Sequence, residues 1–343
     1  PRSTDPPPKT YHGMGHANSQ GLVIPAPTHG GRKELSNVGK THLNGTVLDY
    51  GSLIYVTLSR AATAKEAIRI MAALVEQYGY ASDMEGFSIA DADEVWYMEF
   101  IAKGGFEKGA VWVALRVPDG HITAHANQAR ITTFLPCDDA DKCMMAPDVV
   151  TFAKKRGYWS GSATDVSFSF SDTYDPVTFG GARWCEARVW YVFSQLADPR
   201  DFDPQEHLAY AQGRQLTKRM PLFVRPKQQL TRELIHKVMG SHYDASWFDP
   251  AIDVGAAAEH SPYRWNGLKW EHGASQYVNE RVVGVQYTGW HFVATIRKAV
   301  PRPMRAVLWW GADDHSFAPK IPIHGGAARV DVSYDDANCT ARA

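Results

Sequence analysis

GFSIADADEVWYMEFIAKGGFEKGAVWVALRVPDGHITAHA, residues 86–126, carries four runs rich in aromatic and β-branched side chains, at 86–90, 95–101, 110–117 and 121–126. Between them stand Asp91-Ala92-Asp93, Lys103-Gly104-Gly105 and Pro118-Asp119-Gly120, whose residues favour turns. Together they read as an antiparallel meander of four strands.

Upstream the period changes. Leu48, Leu53, Ile54 and Leu58 share one face of a helix, and Thr63 with Glu66 three residues on forms a capping box that opens a second. Leu74, Val75 and Tyr78 continue the second helix's apolar stripe, and Gly79 fits its stop. Downstream, helices are predicted at 147–156, 183–196, 204–212 and 231–239, then further strands near 281–287, 291–297 and 305–310. Helices, antiparallel strands, helices and strands again predict an α+β fold of two packed sheets covered by helices. Residues 1–8 are proline-rich and read as an extended lead-in; 1–29 are assigned to that lead-in and a first strand, and 30–343 to the main domain.

The 343 residues suffice for a large core, and 44% are apolar. With 36 basic against 37 acidic side chains there is no electrostatic footprint for nucleic acid, so a small molecule or peptide is the expected ligand. No window approaches the roughly 20 apolar residues of a membrane-crossing helix, and residues 1–9 lack a signal-peptide apolar run. Cys137, Cys143, Cys185 and Cys339 show no paired spacing for zinc, and the histidines are scattered, so neither metal nor cofactor is expected. Cys137 and Cys143 are near enough to close a small loop, with a free buried thiol the equal alternative. Sequons at Asn44 and Asn338 would suit a secretory protein, and the choice between cytoplasm and secretory lumen stays open. Asp313-Asp314-His315 reads as a surface turn rather than a metal cluster, and Trp265, Trp270, Trp290, Trp309 and Trp310 as packing anchors.

No P-loop, dinucleotide glycine motif, HExxH or GxSxG is present. A series of other stretches carries more information: Gly30-Gly31-Arg32-Lys33-Glu34-Leu35, Leu48-Asp49-Tyr50-Gly51, Glu94-Val95-Trp96, Val117-Pro118-Asp119-Gly120 and Asn127-Gln128-Ala129-Arg130-Ile131. Phe179-Gly180-Gly181, Cys185-Glu186-Ala187-Arg188-Val189-Trp190, Met220-Pro221-Leu222 and Trp309-Trp310-Gly311-Ala312-Asp313-Asp314 follow in order. In order and spacing these stretches resemble the secernin and dipeptidase A family of N-terminal-nucleophile hydrolases, over nearly the whole chain.

That resemblance implies a four-layer αββα sandwich and hydrolysis of amide bonds in dipeptides. It also implies a cysteine as first residue of the mature enzyme, its thiol attacking the carbonyl while its own α-amine accepts the proton. Residue 1 here is proline and the first cysteine is Cys137, so the chain is expected to lack the fold's first strands and to be inactive alone. A companion N-terminal segment would supply the nucleophile. By the same resemblance Asn127 donates to the oxyanion, Arg188 tunes the thiol or holds a carboxylate, and Asn18 is a second oxyanion donor. As bare residues they read otherwise: a turn-capping Asn, an arginine lying along a helix face, and a loop Asn.

Two departures bear on substrate. Where the family reads Asn-Glu and Gly-Glu-Ser-Thr, this chain has Asn18-Ser19 and Pro25-Ala26-Pro27-Thr28, removing two carboxylates that would suit a peptide's ammonium end. His324-Gly325-Gly326 replaces a Tyr-Cys-Gly-like stretch. The primary expectation is therefore a cysteine-type dipeptidase acting on dipeptides or small amides; the alternative is a catalytically degenerate member serving as a structural or interaction subunit. Association into a homo-oligomer or larger assembly is left open.

Overall fold

The structure, a computed structural model, describes residues 9–38, 45–253, 256–264, 269–278 and 280–329. The lead-in at 1–8, the sequons at Asn44 and Asn338, Cys339 and Trp265 lie outside these. The chain enters through a short hairpin of β1 (Gly13–Met14) and β2 (Ala17–Asn18), and Val23 then bridges to Ala90. The main sheet is antiparallel, with β3 (Thr28–His29), β4 (Met84–Ala90), β5 (Val95–Ala102), β6 (Ala110–Arg116) and β7 (Cys143–Met145) in that order.

Both faces of this sheet are covered, which is why its strands read as nearly continuous apolar runs. On one face Phe87, Ile89, Trp96, Met98 and Phe100 are buried against α1 (Tyr50–Leu58) and α2 (Ala64–Tyr78). On the other, Met84, Tyr97, Ile101, Val111 and Val113 meet α3 (Val149–Lys155) and α4 (Phe170–Tyr174). The caps follow the sequence. Asp49 accepts from the Ser52 amide, Thr63 from the Glu66 amide, and the reciprocal arm from Glu66 reaches the Ala62 amide at 2.7 Å. Gly79 closes α2 at φ 72°, where a Cβ would come within 2.6 Å of Thr46 Oγ1.

The fourth run of the expected meander is not a strand of this sheet. After the Pro118-Asp119-Gly120 turn, 121–126 leaves the sheet plane and crosses its face, where the His125 ring stacks on Tyr97 at 4.5 Å and its Nε2 contacts Ser88 Oγ at 2.7 Å. Its one ladder-like contact is the isolated bridge of Ile122 with Val224. The place beside β6 is taken by Cys143–Met145, with Cys143 joined to Cys137 by a disulfide.

Next, α5 (Phe179–Gly181) passes through a π-helical turn, Ala182–Glu186, into α6 (Ala187–Leu196); α7 (Pro204–Ala211) and α8 (Arg232–Met239) complete the helices. The residues at 281–287, expected as a strand, form none. The later strands are the β8–β9 hairpin (Lys269–His272 and Ser275–Val278) and a sheet of β10 (Trp290–Ile296), β11 (Ala306–Ala312) and β12 (Ile321–His324). Through Ala306 and Leu308 this sheet packs on Ala17 and Val23. The contact is so close that a Cβ on Gly325 would meet the Asn18 carbonyl oxygen at 2.7 Å, which accounts for glycine at that departure from the family pattern. The fold is thus α+β. Two smaller expectations are corrected: Asp314 and His315 are buried, His315 stacked 4.0 Å from His291, and Trp290 is half exposed.

Phe100 is fully buried, edge-on to Tyr80 and Phe87. Phe100→Ala is expected to cost about 3–5 kcal/mol in denaturant unfolding. Val95→Ala, at an exposed position of the same strand, is expected to stay within about 0.5 kcal/mol.

Candidate active site

Three of the stretches from distant parts of the sequence, 30–35, 185–190 and 220–222, meet around residues 127–131. The buried Glu99 carboxylate accepts from the Arg130 and Ile131 amides and from the Tyr97 hydroxyl. The Asp175 carboxylate accepts from Gly31 N at 2.9 Å and Ala129 N at 2.8 Å, joining the Gly-Gly-Arg stretch to this segment. Arg130 is buried and pairs with Glu186 at 3.4 Å. Its other donors reach the carbonyls of Ala124 and Pro221 at 2.7 and 2.9 Å, so the Met-Pro-Leu stretch is fastened to the same point. Burial lifts the carboxyl of Glu99 to about 7 despite these bonds, and raises that of Asp175.

Asn127 and Arg188 are in direct contact. Arg188 Nη2 donates to Asn127 Oδ1 at 2.8 Å, while Arg188 Nε donates to the Trp184 carbonyl one turn back, fixing the guanidinium on α6. Asn127 Nδ2 donates to the Thr28 carbonyl at 2.7 Å, and its second amide hydrogen has no partner among the described residues. Asn18 lies elsewhere. Its amide donates to the Leu58 and Ala61 carbonyls at 2.7 and 2.8 Å, and its oxygen accepts from Gln20 N and Leu22 N. Both of its hydrogens are committed to holding the β2 turn against α1, which leaves no donor for an oxyanion.

A cavity of about 390 Å³ opens beside Arg188, between 122–126 and helices α6 and α8, lined also by Pro25, Ser88, His125, Val192 and Val238. Four further residues of this neighbourhood were not singled out from the sequence for a role at the site. Cys185 is a free, buried thiol; burial raises its pKa, with Arg188 and the Asn127 backbone N–H pulling the other way. Tyr243 donates its hydroxyl to the Arg281 carbonyl at 2.8 Å. His125 lies two residues before Asn127, and His29 is buried with neither ring nitrogen partnered among the described residues. Cys185 stood inside a quoted stretch, but no local pattern marked His29 or Tyr243. Among the described residues no three His, Cys, Asp or Glu side chains are grouped to hold a metal ion.

Burial, reinforced for His29 by His125 and for His125 by Arg130, lowers both imidazoles from 6.5 to about 3. The unfolded chain therefore takes up these protons first; the stability linked to the pair is fully present above about pH 6.5 and is lost as pH falls towards 3. Nitrogen-15 NMR of the rings at pH 5 is expected to find both neutral. A charged imidazole at either position would contradict the burial.

The sequence profile described as peptidase family C69 matches residues 26–343. Similar proteins include a probable dipeptidase of Latilactobacillus sakei, 23% identical over 310 residues, covering 88% of this chain and 57% of that protein. A probable dipeptidase of Salmonella dublin is 26% identical over 69% of this chain and 51% of its own length. A dipeptidase of Bifidobacterium longum is 24% identical over 78% of this chain and 46% of its own length. The chain thus spans about half the length of the curated relatives it matches. With the profile covering nearly all of it, the chain belongs to peptidase family C69.

Proposed function

We propose that this protein works as a cysteine-type N-terminal-nucleophile dipeptidase whose attacking cysteine lies on a companion segment outside these residues. The observation that carries the reading is the Asn127–Arg188 hydrogen bond beside a cavity of about 390 Å³, a volume that suits a short peptide. In this reading the two sheets belong to an αββα sandwich that the companion segment completes.

The thiol attacks the amide carbonyl and its proton passes to the α-amine of the same cysteine. The free hydrogen of the Asn127 amide donates to the developing oxyanion, and Arg188 holds that amide in place through its oxygen while adding positive charge beside the thiolate. The C–N bond then breaks, the amine leaves with the proton, and water releases the acyl group from sulfur. Asn18, with its hydrogens already donated, takes no part. A second reading, a degenerate member kept as a structural subunit, is favoured by Ser19 and by Pro25-Ala26-Pro27-Thr28 standing where the family carries carboxylates.

The complete protein is expected to hydrolyse members of a dipeptide panel and to lose that activity on thiol alkylation, whereas residues 1–343 alone give no turnover. Asn127→Ala should lower kcat about 100- to 1000-fold, with a melting temperature only a few degrees lower from the two lost side-chain hydrogen bonds. Absence of alkylation-sensitive turnover on any dipeptide or small amide would leave only the structural role.

A further inference from the structure

The cavity of about 390 Å³ adjoins Asn127 on two sides. Ala126 and Arg188 both line it, the first as the neighbour of Asn127 in sequence and the second as its hydrogen-bond partner. Residues 25–28 make the same connection, since the Thr28 carbonyl accepts from Asn127 Nδ2 and Pro25 lines the cavity. A group bonded to a carbonyl carbon held at Asn127 therefore reaches this space first.

The wall is apolar, and its polar side chains are already engaged. Helix α6 contributes Val189, Val192 and Leu196, which share one face at helical spacing, and α8 contributes Ile235, Val238 and Met239. Of the eight residues of α8 only Val238 is buried, so this amphipathic helix turns its apolar face to the cavity rather than into a core. Ser88 Oγ and His125 Nε2 are bonded to each other at 2.7 Å, Thr123 donates to the Leu222 carbonyl at 2.9 Å, and Arg188 is held by Trp184 and Asn127. His125 stays uncharged at neutral pH, so among the described residues Arg188 is the one charged group lining the cavity. A cationic side chain entering would shed water and meet only a like charge, and an acidic one would pull on the guanidinium that holds Asn127. An apolar side chain loses nothing there. The volume exceeds the roughly 150 Å³ that accepts a benzene ring in an apolar cavity.

We propose that this cavity is the pocket for the side chain of the residue whose carbonyl is attacked, and that it selects large apolar side chains over small and charged ones. The inference rests on the peptidase reading and names the class of dipeptide it acts on. That side chain leaves the α-carbon next to the attacked carbonyl, one bond closer than any side chain of the leaving residue, which matches a pocket that begins beside the oxyanion donor. Met239, unbranched, flexible and at an exposed position, suits the wall to aromatic and aliphatic shapes alike.

The test is calorimetric binding, by the complete protein, of dipeptide analogues whose amide is reduced to a methylene-amine, with Phe, Leu, Ala, Asp or Lys preceding a C-terminal alanine. The Phe and Leu analogues are expected to bind at least about tenfold more tightly than the Ala analogue, and the Asp and Lys analogues more weakly than it. The kcat/KM values of the matching dipeptides should follow the same order. Val192→Phe, which fills the pocket from α6, should bring the Phe-to-Ala ratio to about one. If that variant fails to fold, Met239→Asp at its exposed position should lower the Phe-to-Lys ratio several-fold. Equal binding across the series, a preference for the Asp or Lys analogue, no binding of any analogue, or ratios that neither variant changes overturns the proposal. Turnover measured in parallel separates the two ideas: hydrolysis without side-chain preference removes the pocket and leaves the peptidase, and preference without hydrolysis does the reverse.

Discussion

Arg130 and Glu186, both almost sealed from solvent, are the ion pair on which the arrangement of this molecule turns. A buried pair gives little net stability, but removing one partner leaves an uncompensated charge, typically at about 3–5 kcal/mol. Its effect here is geometric. Arg130 ties the 127–131 segment to the start of α6 through Glu186 and to the 220–221 turn through carbonyls, while Glu99 receives its amides from the centre of the sheet. Sheet, crossing segment and helix are thereby fixed at one point.

That point lies three residues from Asn127 and two residues before Arg188. A side chain whose own backbone is held on both sides loses little freedom on engaging a reacting group, which is the condition for an effective oxyanion donor. The cavity follows from the same constraint: 121–126 is drawn across the sheet face rather than along its edge, and the space between it and helices α6 and α8 stays open. Stability and the proposed chemistry thus draw on the same residues, and burial raises the carboxyl of Glu99 and lowers the His125 imidazole at that point.

Much of this was legible in the sequence. The three central strands, both capped helices of the first pair and α6 through α8 follow from period and capping residues, within a few residues at each end. The run 121–126 has the composition of a strand, and only partners more than 30 residues away, Ser88 and Val224, decide that it is not one. β7, three residues long, and β12, with Pro322 inside it, carry too weak a pattern to be read. For the site, Asn127 and Arg188 are 61 residues apart and no local rule joins them; family resemblance named both, and the structure places them in hydrogen-bond contact. Asn18 was named on the same ground, yet its amide is used up in a turn.

The most direct measurement of the central claim is a crystal structure of the complete protein captured with a dipeptide aldehyde bound covalently to its cysteine. The account predicts the hemithioacetal oxygen within hydrogen-bond distance of Asn127 Nδ2, with Arg188 still bonded to Asn127 Oδ1. An adduct formed with its oxygen held by other groups, and Asn127 turned away from it, would contradict the assignment of this site.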